Sequence, residues 1–66
     1  MKNYQHWSTD TLTRKRKSLL SDIEEWERTL RETKSVIIEF YLTYCIKKAK
    51  EEIHSIDTEL CYREHN

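Results

Sequence analysis

The chain of 66 residues contains neither glycine nor proline, and that absence narrows the folds open to it more than any motif does. Sandwiches and barrels need many tight turns, and those turns lean on glycine for positive φ or on proline for a fixed φ. Loops that cradle phosphate are glycine-rich for a related reason, so every Gly-rich nucleotide motif is excluded as well. A chain without either residue suits long helices joined by very few turns, and the expected class is all-α.

The start of a first helix is written in "YQHWSTDTL", residues 4–12. Ser8 has the hydroxyl that an N-cap needs to take an otherwise unpaired backbone N–H. Trp7 and Leu12 then stand at the hydrophobic-staple spacing, and Asp10 in the first turn suits the positive end of the helix dipole. Apolar residues follow at Leu12, Leu19, Ile23, Trp26 and Leu30, separated by sevens, fours and threes, which is the stripe of a helix packed along one seam. Arg16 falls on the missing core position and must direct its charge outward along an apolar stem.

A second stripe runs Leu42, Ile46, Ala49, Ile53, Ile56, Leu60, and it is out of register with the first. Continuing the first stripe reaches Ile37, Phe40 and Tyr44 but then Lys47, Glu51 and His54; extending the second backwards gives Glu39, Ser35 and Glu32. A two-residue offset turns a seam by about 200° at 100° per residue. One straight helix with one partner cannot satisfy both stripes. A turn near "ETKS" repairs the conflict, with Thr33 or Ser35 capping a second helix. The expected architecture is a single antiparallel helical hairpin, with helix one over about 9–32, a turn at about 33–35 and helix two over about 36–63, dimerising into a four-helix bundle. The rivals are one continuous helix in an extended coiled coil, and a strand through "VIIEFYLTYCI", which has strand-type residues but neither alternation nor a hairpin partner.

Dimerisation is expected because a chain this short buries only about 60% of its unfolded surface and because of "SVIIEFYLTYCI", residues 35–46. Only Ser35, Glu39 and Thr43 in that stretch are not hydrophobic. Leu42 and Ile46 belong to the hairpin seam, which leaves Val36, Ile37, Phe40, Tyr41 and Tyr44 pointing elsewhere. A helix that is apolar on most sides must be buried on most sides, so these five residues are the predicted oligomer or partner interface. A second copy of the chain is the expected cover, and closed two-fold dimers are the commonest assembly of small soluble proteins. A host protein docking on the same patch is the alternative. Phe40→Asp is accordingly expected to break the assembly more severely than Leu12→Asp, with Leu12 placed in first turns that can let a carboxylate reach water.

The basic run Arg14, Lys15, Arg16 and Lys17 raises a nucleic-acid reading. Against it, four consecutive helical residues point around the whole circumference, and the formal charge of the chain is zero, from 12 basic and 12 acidic residues. An antiparallel hairpin lays this run beside Glu51, Glu52, Asp57 and Glu59, and it brings Asp22, Glu24, Glu25 and Glu27 near Lys47, Lys48 and Lys50. Charge matching between the helices is therefore the expected role. Cys61 and His65 have a spacing that can chelate a metal, but a closed structural site needs four ligands. No nucleophile–base pair or paired-carboxylate cleft is legible, so neither catalysis nor a cofactor is expected. Cys45 and Cys61, sixteen residues apart, stand roughly 24 Å apart on one helix, beyond a disulfide's reach. Two unpaired thiols and no signal-peptide pattern point to a reduced, cytoplasmic protein, and the apolar run is too short to span a bilayer.

A short helical hairpin without glycine or proline, opening "MKNYQHW" and carrying the two stripes above, resembles the small accessory proteins of temperate-phage early regions, such as the lambdoid exo-xis interval. The resemblance covers the whole chain and rests on size and style. It implies a non-enzymatic modulator of host physiology or of the lytic–lysogenic choice, acting in the host cytoplasm, and it transfers no site residues. In overall shape the chain is also similar to dimeric helical-hairpin RNA-binding regulators of plasmid copy number, a likeness of architecture alone.

Overall fold

The computed structural model of the chain describes residues 4–65, and among these it contains two α-helices and no strand. Helix α1 spans Thr9–Glu32 and α2 spans Val36–Glu64. Ser8 is the N-cap of α1, its Oγ accepting the Thr11 backbone N–H at 3.1 Å. Residues 33–35 are not helical, with Thr33 and Ser35 extended, which excludes one continuous helix. Thr33 ends α1, donating its backbone N–H to the Thr29 carbonyl at 2.8 Å. Its Oγ1 accepts the Ser35 N–H at 3.2 Å, and Ser35 in turn caps α2 by accepting the Ile38 N–H. Two hydroxyl side chains thus do the work that glycine or proline usually does in a turn, because extended φ and ψ suffice here and no residue needs positive φ.

Helix α2 runs back along α1, and the two bury a narrow seam between them. Leu12, Leu19 and Ile23 from α1 meet Ile46, Ala49 and Ile56 from α2, with Trp26, Leu30, Ile53 and Leu60 packed partly buried around them. The stripes read from the sequence are the faces that meet. Each buried aliphatic side chain contributes about 1.5–3 kcal/mol, and a single row of them is a thin core.

Tyr4 and Trp7 precede α1, yet Tyr4 is a core residue, only 5% exposed. The two rings meet edge to face with centroids 5.1 Å apart, and they close the end of the seam where Leu12 and Ile56 lie. That closure corrects the expectation for Leu12. The residue is not a fraying first-turn side chain but one of the two most deeply buried in the protein, at 0% exposure, the other being Ile56. Leu12→Asp should therefore damage the fold itself.

The segment before α1 is held from the far end of the chain. Arg63, in the last turn of α2, donates to the Trp7 carbonyl at 2.6 Å, to the Tyr4 carbonyl at 3.0 Å and to Thr9 Oγ1 at 3.1 Å. Its Nε pairs with Glu59 at 2.9 Å, which fixes the guanidinium plane so that the other nitrogens face these acceptors. The Tyr4 hydroxyl donates to Glu52 Oε1 at 2.9 Å. Burial, then that hydrogen bond and the carboxylate's charge, push the Tyr4 phenol up to about 12 from its ordinary 10.0. The fold favours the neutral phenol, so its contribution is complete below pH 10 and is lost as pH rises through 12. The melting temperature should fall more steeply between pH 10 and 12 for the wild type than for Tyr4→Phe, by circular dichroism. Parallel curves would show that the Tyr4–Glu52 contact does not contribute.

Candidate partner-binding face

The first three turns of α2 carry apolar residues on two sides. Taking Val36 as zero and advancing 100° per residue, Leu42, Ile46, Ala49, Ile53, Ile56 and Leu60 cluster around about 240°, the direction of α1. Val36, Phe40, Tyr44, Ile37 and Tyr41 occupy an arc from 0° to about 140°, centred near 70°. The two faces are about 170° apart. Nothing on α1 can reach the second face, and all five of its side chains are exposed: Val36 62%, Ile37 81%, Phe40 75%, Tyr41 66% and Tyr44 60%. Ile38 and Leu20, at 45% and 41%, are also partly open.

An aromatic side chain presents roughly 150–250 Å², so Phe40, Tyr41 and Tyr44 together leave on the order of 400 Å² open. The largest apolar patch on a typical monomer is about 300–600 Å². Val36 and Ile37 take this one to the top of that range or past it, on a chain of only 66 residues. Its borders are sharp. Along the same line of α2 the sequence turns to Lys47, Lys48, Glu51 and Ser55; the Lys48 ammonium sits 5.6 Å from the Tyr44 ring centroid, a cation–π contact that closes the patch. Helix α2 continues for five turns beyond it, and apart from exposed Tyr62 that continuation is polar on this side.

The basic run Arg14–Lys17 does not form one surface. Arg14 and Lys17 are exposed, while Lys15 and Arg16 are half-buried. Arg14 pairs with Asp10 one turn back at 3.0 Å, and Arg16 reaches across to Asp57 on α2 with its stem over the seam. The expected matching of the two helices by charge is thus realised at Arg16–Asp57. Arg14–Asp10, Lys48–Glu51 at 3.7 Å and Arg63–Glu59 are instead pairs within one helix. The reason is proximity, since a partner one turn away on the same helix needs no long side chain held across the groove. Glu24 and Glu27 do line the same inter-helix groove as Lys17 and Lys50.

Cys45 is half-buried and Cys61 exposed, both as free thiols. Among the described residues no group of three or more His, Cys, Asp or Glu is placed to hold a metal ion, and no helix is long and apolar enough to cross a membrane. Sequence reasoning missed Tyr4 and Arg63. Neither lies on a periodic stripe that faces the partner helix, and their contacts join residues 48 to 59 positions apart. Comparison with protein-family models, with curated proteins and with solved structures finds no match to this chain.

Proposed function

We propose that this chain is a small non-enzymatic helical protein that works by protein–protein contact, assembling through the apolar face Val36, Ile37, Phe40, Tyr41 and Tyr44. The observation that carries the reading is that this face points directly away from the hairpin core and stays exposed by 60% or more at every position. Exposed apolar area of this size and sharp border is the mark of a surface that meets another polypeptide. Two copies joined here bring four helices together and add burial to that of one thin seam. The resemblance to phage accessory proteins extends the reading to a modulator of host physiology or of the lytic–lysogenic choice, with a host protein as its target.

Light scattering on the purified protein at micromolar concentration tests the reading. The expected mass is a multiple of the 8.2 kDa chain; a folded monomer would overturn the assembly. A gel-shift at low salt tests the competing role of Arg14, Lys15, Arg16 and Lys17 as a nucleic-acid contact. Binding that weakens steeply with added salt would favour it, whereas the occupied guanidinium groups of Arg14 and Arg16 favour no shift.

A further inference from the structure

Resting on the reading just given, we infer that the occupant of this face is a second copy of the chain, and that the two α2 helices cross antiparallel about a two-fold axis at Phe40, with both α1 helices on the outside. The first support is direction. The exposed face and the seam lie about 170° apart on α2, so a partner on this face is collinear with α1 and α2 rather than beside both. The helices therefore stack in the order α1, α2, partner α2, partner α1, and the contact belongs to α2 alone.

The second support is extent. Phe40 is the midpoint of 36–44, a patch about 12 Å long. A crossing centred there sets Val36 opposite the partner's Tyr44 and Phe40 against the partner's Phe40. The polar continuation of α2 then projects past the partner into water. A parallel two-fold pairing would instead lay the whole of α2 along its copy, placing Lys47, Lys48 and Glu51 each against the same residue of the partner. Like charges directly opposed across an interface are repulsive, and two helix N-termini with positive partial charge would lie side by side. Charge therefore selects the antiparallel crossing. The area also suffices. The rings contribute on the order of 400 Å² per copy and Val36, Ile37 and the rims add to it, approaching the roughly 600 Å² per partner at the lower end of specific interfaces.

Disulfide trapping reads the register directly. In a background carrying Cys45→Ser and Cys61→Ser, two single variants are made, Val36→Cys and Tyr44→Cys, and their assembly is first verified by sedimentation. In the antiparallel crossing, the two copies of position 36 are offset by roughly 12 Å along the helix axis alone, already beyond the limit of about 7 Å between Cα atoms for a bridge. Mild oxidation should leave each variant alone largely uncrosslinked, while a mixture of the two gives the covalent heterodimer. Self-crosslinking of Val36→Cys in a dimer would show a parallel pairing and overturn the inference while leaving contact through this face intact. A dimer trapped by neither combination would overturn it too, by placing the interface elsewhere. A monomer at every concentration would overturn both the second-copy inference and the assembly it rests on.

Discussion

Phe40→Asp is expected to give a helical, cooperatively folding monomer of about 8 kDa, and the wild type is expected to sediment as a larger species. Phe40 is 75% exposed on the isolated hairpin, so its loss removes nothing from the seam, and the caps at Ser8 and Ser35 are untouched. In the proposed assembly the same position lies at the centre of the contact, where a carboxylate would be buried without a cation. Leaving one charge unpaired in this way costs about 3–5 kcal/mol, which weakens association by a hundredfold or more. Sedimentation velocity across a concentration series gives the shift, and circular dichroism checks that the helix content is retained. A variant that remains fully assembled would show that the face formed by Val36, Ile37, Phe40, Tyr41 and Tyr44 is not the contact.

Leu12→Asp has the opposite signature: the chain should lose its helical signal altogether, and any assembly with it. Leu12 is fully enclosed, by the Tyr4–Trp7 segment on one side and the α2 seam on the other. Truncation to alanine alone removes about 2–5 kcal/mol at such a site. A chain of this length has only about 3–10 kcal/mol in total at the usual per-residue stability. A buried carboxylate exceeds the alanine cost, because it adds desolvation to the cavity. Leu12→Ala is the milder companion, expected to lower the melting temperature steeply while leaving a measurable transition. An unchanged transition in Leu12→Asp would mean that the segment before α1 does not cover this end of the seam.

The contrast between these two variants marks where the sequence is legible. Intervals of three, four and seven identify Leu19, Ile23, Ile46, Ala49 and Ile56 as seam residues, because a helix repeats its faces and the repeat is written in order along the chain. The clash of the two stripes locates the turn for the same reason, and Ser8 and Ser35 announce their helices through hydroxyls at the right offset. The surplus face is legible as well, since apolar residues that fit no seam stand out in the sequence itself. Tyr4 is different. It lies outside both helices, so no period includes it, and its burial depends on Glu52 and Arg63 being brought from more than forty-five residues away. Without that closure Leu12 looks like a first-turn residue with access to water. The pairing of charges is hidden for a related reason: sequence gives sign and spacing, whereas Arg14 and Arg16 choose between a neighbour on their own helix and one across the seam according to where each side chain leaves the helix.

The anchoring of Tyr4 and Trp7 by Arg63 has a practical geometric outcome. Residues 4 and 65 emerge at one pole of a body 47 Å long, and Phe40 lies near the other pole, roughly 37 Å along α2 from His65. The molecule is built like a probe with its handle and its tip at opposite ends. A surface or reporter attached beside residue 4 or residue 65 stays away from Val36–Tyr44, so the binding proposed for the tip can be measured without competition from the attachment. A graft at residues 33–35 would do the reverse, crowding the tip while leaving the handle free.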